Sequence, residues 1–184
     1  MNRLASPAQL RASFLRWALF LVPLVLLLGM LSAEISGSSA TNPWFAALEK
    51  PAIYPLPIVF PVAWTALYVL MGLAAALVCA AWGARGRTLA LLFFAVQLAL
   101  NIAWSPVFFR FHEIEYALYL LGAIDAAVLI TLVLFFIVRK LAGIMLLPYL
   151  VWVGFATFLN WQVLVLNPDA GSYESPAPVQ RVEL

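Results

Sequence analysis

The sequence predicts an all-α membrane protein, a bundle of five transmembrane helices. Two observations predict this fold class: the composition, and five apolar stretches that are each long enough to cross a bilayer. Of the 184 residues, 66% are hydrophobic and only 10% are charged, and the mean hydropathy is +1.03. Soluble domains carry about 25% charged residues, so this chain has too little polar surface to stay dissolved in water.

Each helix is expected where an apolar stretch reaches about 20 residues, the length that crosses the hydrocarbon core. The stretch that begins at Pro51 is rich in proline, which interrupts regular helix. The second helix is therefore expected to begin near Ile58, with Pro61 in its first turn. Together the five predicted helices form a transmembrane domain over residues 14–166, at about 14–33, 58–83, 88–109, 115–138 and 141–166.

Basic residues divide unequally between the two sides of this bundle. Seven fall with the N-terminus and with the second-to-third and fourth-to-fifth connections, whereas three fall on the opposite side. Because cytoplasmic loops carry an excess of Lys and Arg, residues 1–13 are expected in the cytoplasm and the C-terminus outside, in a bacterial inner membrane. The tail, residues 167–184, has three prolines and few large apolar residues, which predicts disorder.

Composition also argues against several classes of function. A net charge of +2 is too small to indicate a nucleic-acid partner. With Cys79 as its one cysteine and His112 as its one histidine, no metal site and no obligatory cofactor are expected. His112 lies beside acidic residues and is expected to be solvated. The sequence has no hydrolase or kinase signature.

The third predicted helix has two different faces. In "QLALNIAWSPVFF", Gln97, Asn101 and Trp104 fall on one face at about 100° per residue, with Gln97 open between a pocket wall and an interhelical bond. A roughly opposite stripe carries Ala95, Ala99 and Ala103. Small residues four apart let helix backbones approach closely, so this stripe is expected to pack on another helix, either within the chain or in a homodimer. A dimeric membrane scaffold is therefore one hypothesis for function.

Aromatic residues cluster on single faces of the second, third and fifth helices. Two interpretations stay open: a cavity for a flat, largely apolar ligand with a few polar anchors, or aromatic belts at the membrane interface. The second helix contributes Trp64 and Tyr68, and the fifth contributes Trp152, Phe155, Ala156 and Asn160.

Asp125 is the acidic residue inside a predicted span. A charge near the bilayer centre costs at least about 2.5 kcal/mol, so its side chain is expected to face the bundle interior. A structural hydrogen bond to a neighbouring helix is the favoured role, and a proton relay is the alternative.

Three segments, in order and correctly spaced, resemble the tryptophan-rich sensory protein family, also called translocator proteins (TspO/MBR) or peripheral-type benzodiazepine receptors, and the chain looks like a bacterial-type member. They are "WFAALEKPAIYPLPIVFPVAWTALYVLMG", "QLALNIAWSPVFF" and "PYLVWVGFATFLN". The first loop departs from the family pattern, with Ile53, Leu56 and Ile58 where aromatic residues or proline often stand, so it is less aromatic than usual. The cholesterol-recognition stretch of the mammalian members is not supported, because Trp161 and Val165 replace its Tyr and Arg.

The resemblance implies a five-helix bundle that binds protoporphyrin IX or related tetrapyrroles, and synthetic isoquinoline and benzodiazepine ligands, in a cavity beneath the first loop. The implied role is that of a sensor, regulator or transporter. Some bacterial members are reported to degrade porphyrin in light through tryptophans that match Trp64 and Trp152, which implies an enzymatic alternative, and some members are assigned to outer membranes. The implied pocket residues are Trp64, Tyr68, Asn101, Trp104, Trp152, Ala156 and Asn160; the implied lid includes Trp44, Lys50, Pro51 and Pro55.

Overall fold

Five long helices run through residues 7–170, the part of the chain that this computed structural model describes, and no strand occurs within that range. All five are long and apolar enough to cross a membrane, which confirms the predicted fold class. The elements are α1 (Pro7–Ile35), α2 (Pro43–Ala47), α3 (Val59–Cys79), α4 (Arg87–Ser105), a π-helical turn (Pro106–Arg110), α5 (Ile114–Val138) and α6 (Lys140–Leu166). The predictions for residues 1–6 and 171–184 lie outside the described residues.

Several helix ends differ from the sequence prediction, and two of them are discussed here. Helix α1 already includes Pro7, the first described residue, whereas the sequence predicts its start near Phe14; the residues between them are compatible with helix. Helix α3 ends at Cys79 instead of near residue 83. The Arg87 guanidinium donates to the carbonyls of Val78 and Cys79 at 2.9–3.2 Å, and these bonds satisfy the last carbonyls of α3 and so favour its end there.

The long helices are arranged in a ring. Helix α1 packs on α3, α3 on α6, α6 on α5 and α5 on α4, and contacts between α4 and α1 close the circuit. The core inside the ring is apolar, with Met71, Ile124, Phe135 and Leu146 almost fully buried. This arrangement turns one face of α3, α4 and α6 toward a common interior.

Small residues set the closest approach in this ring. A Cβ atom at Gly72 would lie 2.7 Å from the Val22 Cα, so α1 and α3 nearly touch there. A Cβ at Gly29 of α1 would overlap the ring of Tyr68 on α3. Glycine at position 29 therefore makes the space in which a predicted pocket residue sits.

Pro106 is the first residue of the π-helical turn that follows α4. Pro106 has no N–H, so the carbonyl of Ile102 loses its helical donor. The Ser32 hydroxyl of α1 donates to that carbonyl instead, at 2.6 Å. The bond joins the end of α1 to the end of α4 just below the first loop. The first loop, the π-helical turn and the end of α6 together form one end of the molecule, called here the lid end.

Candidate functional site

The predicted pocket residues of α3 and α4 lie in direct contact. The Tyr68 hydroxyl donates to Asn101 Oδ1 at 3.1 Å, and both side chains are buried. Trp64 stacks on Tyr68 with 5.4 Å between ring centroids. One helical turn separates Trp64 from Tyr68, so α3 presents both rings to the interior on one face.

Helix α6 meets this group through Tyr149. Trp64 lies edge-on to the Tyr149 ring at 6.4 Å, and the Tyr149 hydroxyl donates to Gln97 Oε1 at 2.9 Å. Gln97 is only 1% exposed, and its Oε1 accepts this hydrogen bond between α6 and α4. The sequence analysis did not select Tyr149, although it lies in the "PYLVW" motif three residues before Trp152 and shares that face.

Trp152, Phe155 and Ala156 continue along α6 toward the lid end. Trp152 contacts Phe155 at 5.9 Å and Phe60 of α3, edge-on, at 6.0 Å. Trp152 and Ala156 are partly buried against the central core. Phe60, which the sequence analysis placed only in a family motif, is thus a neighbour of a predicted pocket residue.

Trp104 and Asn160 lie nearest the lid end. Trp104 stacks on Phe108 at 5.1 Å and packs against both the central core and the cluster below the first loop. Asn160 Nδ2 donates to the Ile114 carbonyl at 2.9 Å, which ties α6 to the start of α5. We call the aromatic and amide side chains that face one another from α3, α4, the π-helical turn and α6 the aromatic cluster: Phe60, Trp64, Tyr68, Gln97, Asn101, Trp104, Phe108, Tyr149, Trp152 and Asn160.

Four polar atoms of the aromatic cluster are buried without a hydrogen-bond partner among the described residues. Three are donors and one is an acceptor: Trp104 Nε1, Trp152 Nε1, Gln97 Nε2 and Asn160 Oδ1. Buried polar groups in native proteins are nearly always paired, and each one left unpaired costs about 1–3 kcal/mol. All four belong to α4 and α6, so they concentrate unused hydrogen-bonding capacity on one part of the bundle.

The first loop covers this end as a small folded unit. Its helix α2 is capped by Asn42, whose Oδ1 accepts from the Phe45 N–H at 3.1 Å. Trp44, Phe45 and Leu48 turn inward and are buried. Trp44 lies edge-on to Phe108 at 5.5 Å, so α2 rests on the residue that stacks on Trp104.

Lys50 stabilises the folded conformation of the first loop through hydrogen bonds within the loop. Its Nζ donates to the carbonyls of Phe45 and Leu48 at 2.8 and 3.0 Å and lies 4.6 Å from the centre of the Phe45 ring. Partial desolvation lowers the pKa of the Lys50 ammonium. Lys50 thus holds the end of α2 in place.

Pro51 and Pro55 flank a turn that carries Tyr54. The Tyr54 N–H donates to the Pro51 carbonyl at 2.9 Å, and the Tyr54 ring stacks on Phe60 at 5.2 Å. Because Phe60 also contacts Trp152, the loop touches the aromatic cluster along two routes, through Phe60 and through Phe108.

The end of α6 secures the loop from the other side. Asn167 Oδ1 accepts from the Glu49 N–H at 2.8 Å, and Asn167 Nδ2 donates to the Glu49 carbonyl at 2.9 Å. His112 stacks on Trp44 with 4.2 Å between ring centroids. The expected solvation of His112 is met only in part, because one face of its half-buried ring covers a buried indole.

Asp125 makes the interhelical bond that the sequence favoured. Its Oδ2 accepts from the Thr157 hydroxyl of α6 at 2.7 Å, while Oδ1 is buried without a partner among the described residues. This bond lies apart from the residues that face one another from α3, α4 and α6, since it joins α5 to α6.

The alanine stripe of α4 points away from the bundle. Ala95, Ala99 and Ala103 are all exposed, whereas Gln97, Leu98 and Asn101 are buried. Packing of the stripe on another helix of the same chain, one of the two alternatives drawn from the sequence, is therefore wrong.

The chain matches known proteins along most of its length. The model of the TspO/MBR family matches residues 19–166. The chain is 39% identical to the tryptophan-rich sensory protein of Cereibacter sphaeroides over 153 residues, which cover 82% of this chain and 92% of that protein. It is 41% identical to protein CrtK of Rhodobacter capsulatus over 126 residues, 68% of this chain and 79% of that protein. It is also 37% identical to human translocator protein over 122 residues, 65% of this chain and 72% of that protein. With its five membrane-length helices, the chain is a multi-pass integral membrane protein that belongs to the TspO/MBR family.

Proposed function

We propose that this protein binds a tetrapyrrole, protoporphyrin IX or a related ring, in the aromatic cluster beneath the first loop. The observation that carries the proposal is the set of four buried polar atoms without partners, which lies among stacked aromatic side chains. A tetrapyrrole offers what such a site lacks: a large flat apolar surface, carboxylate oxygens that accept hydrogen bonds, and pyrrole nitrogens. The names of two relatives, a tryptophan-rich sensory protein and a translocator protein, fit a role in sensing or moving the ligand.

Binding would match donors to acceptors. The indole N–H groups of Trp104 and Trp152 and the Gln97 amide would donate to carboxylate oxygens of the ligand. Asn160 Oδ1 would accept from a ligand N–H. Aromatic rings favour offset stacking and edge-to-face contact with other rings, so Trp64 and Trp152 would hold the plane of the macrocycle.

The first loop would act as the lid. It touches the cluster through Phe60 and Phe108, each of which contacts a tryptophan with an unpaired N–H. A ring inserted between the helices would displace these contacts and so alter the position of the loop. In this way occupancy of the cluster would be reported at the membrane surface, as a sensor or transporter requires.

The direct test is a titration with protoporphyrin IX, read from the absorbance of the porphyrin so that tryptophan substitutions do not remove the signal. A Trp104→Phe, Trp152→Phe double variant keeps aromatic surface but removes both indole donors. At about 1 kcal/mol for each lost hydrogen bond, affinity should fall by about 10- to 30-fold. Trp82→Phe with Trp161→Phe is the matched control, because those indoles are 70% and 49% exposed.

Two results would overturn the proposal. One is an affinity that is equal in the cluster variant and in the wild type. The other is porphyrin binding no tighter than that of an unrelated five-helix membrane protein of similar tryptophan content, since any apolar bundle absorbs some porphyrin.

A further inference from the structure

A second candidate site lies at the opposite end of the bundle. A cavity of about 470 Å³ opens there between α1, α3 and the start of α6. Its walls combine three cations with apolar side chains: Arg11, Arg139 and Lys140 with Phe14, Leu77 and Leu141. We call this cavity the basic cleft; it shares no residue with the aromatic cluster.

Among the residues that the structure describes, no acidic side chain balances the positive charge of the basic cleft. Within residues 7–170, none of its three cations makes a side-chain hydrogen bond or an ion pair. The acidic residues of that range are far from the cleft: five are at the lid end, and Asp125 is near the middle of α5. Arg87 is different, since it is held by two carbonyls of α3 and by the ring of Trp82.

Helix α6 adds to the same positive field. It starts at Lys140 with no side-chain cap and no acidic residue in its first turn. The N-terminus of a helix carries about half a positive charge, and its free N–H groups bind anions. Arg139 and Lys140 stand at this end, where a cation is unfavourable unless an anion lies nearby.

We propose that the basic cleft binds the phosphate-bearing headgroup of an anionic phospholipid, with an acyl chain lying along Phe14, Leu77 and Leu141. Charge complementarity identifies the headgroup, because basic pockets between transmembrane helices suit anionic lipids. The apolar walls and the position between membrane-spanning helices identify the lipid as the source of the phosphate. A soluble phosphate compound would leave those walls uncovered.

The test compares fluorescent phosphatidylglycerol with phosphatidylcholine of the same chains, each titrated into the detergent-solubilised full chain. Wild type should prefer phosphatidylglycerol. An Arg11→Gln, Arg139→Gln double variant should lose about 30-fold in affinity for it, since each basic residue near a membrane surface contributes about fivefold. The control is Arg16→Gln with Arg85→Gln, which removes two charges from the same end and leaves the basic cleft intact.

A second variant, Leu77→Trp, fills the apolar part of the cleft and keeps every charge. It should weaken phosphatidylglycerol binding at least tenfold if the acyl chain lies there. Equal losses in the cleft and control doubles would overturn the proposal, because they would show attraction to the whole basic end. It would also be overturned if inorganic phosphate displaced the lipid at equal concentration, or if Leu77→Trp bound phosphatidylglycerol like the wild type while remaining monodisperse and helical.

Discussion

Gln97 and Tyr149 in the aromatic cluster form a buried hydrogen-bonded pair that leaves one polar group without a partner among residues 7–170. Gln97 and Tyr149 are both almost fully buried, yet each satisfies only part of the other's hydrogen-bonding capacity. The Gln97 Oε1 accepts a hydrogen bond from the Tyr149 hydroxyl, and the Gln97 Nε2 has no partner among residues 7–170. The pair therefore joins α4 to α6 and at the same time offers a donor to the interior.

The first prediction concerns this pair. Tyr149→Phe removes the hydroxyl and leaves the Gln97 amide wholly unpaired, so the free energy of unfolding should fall by about 0.5–2 kcal/mol, the range for interhelical bonds and unsatisfied groups. A Tyr149→Phe, Gln97→Leu double variant should recover most of the lost free energy of unfolding, because no buried amide is then left without a hydrogen-bond partner. Unfolding in a titration with denaturing detergent measures both. A double variant less stable than Tyr149→Phe alone would contradict the interpretation.

The second prediction concerns Tyr54 in the lid. Burial raises the pKa of Tyr54 to about 12 from its ordinary value of 10. A released loop would therefore ionise this phenol near pH 10, whereas the closed loop keeps it neutral. The contribution of Tyr54 to loop closure is complete below pH 10 and is lost as the pH rises from 10 to about 12.

The measurement for Tyr54 is the difference in phenolate absorbance between wild type and Tyr54→Phe during an alkaline titration. The difference should have its midpoint near 12. The chain has six tyrosines, and all of them contribute phenolate absorbance, so subtraction of the Tyr54→Phe curve is needed to isolate Tyr54. A midpoint near 10 would show that Tyr54 is not sequestered.

At the scale of helices, the sequence predicted the number and type of elements better than their ends. Apolar length predicts a membrane helix because a helix satisfies every backbone hydrogen bond within one continuous segment, as the interior of the bilayer requires. The end of α3 depends instead on Arg87, which reaches back from the next helix, and such a tertiary bond has no local signature. Likewise, helical periodicity predicts that Asn101 and Trp104 lie on an inner face of α4. The hydrogen bond between Asn101 and Tyr68 could not be predicted in this way, because it depends on how α3 packs on α4.

The third prediction concerns the contact of α1 with α3. Gly72→Ala would place a methyl group 2.7 Å from the Val22 Cα, so the two backbones must separate. The free energy of unfolding should fall by about 1–3 kcal/mol, as for other overpacked contacts. Gly122→Ala in α5 is the control, because a Cβ there meets open space, and it should be neutral or stabilising by up to about 1 kcal/mol. Equal stability of the two variants would argue against a close-packed contact at Gly72.

At the scale of the whole molecule, charge and small residues divide the surface into regions with different tasks. Within residues 7–170, one end carries the three cations of the basic cleft, the other carries the folded loop, and the outer flank of α4 carries exposed Ala95, Ala99 and Ala103. Without a hydrophobic driving force between helices in lipid, association relies on close packing of backbones. We therefore propose that this outward stripe of small residues contacts a second copy of the chain through α4.

The fourth prediction follows from that stripe. Ala99→Leu places a bulky side chain at its centre and prevents two α4 helices from approaching, so the proposed dimer should weaken at least tenfold. Ala126→Leu makes the same change at an exposed position on α5 and should leave association unaltered. Subunit counting by photobleaching in lipid nanodiscs measures both at equal protein-to-lipid ratios. Porphyrin affinity should be unchanged in both variants, because the buried face of α4 that bears Gln97 and Asn101 is separate from the stripe; a dimer that survives Ala99→Leu would place the interface on another helix.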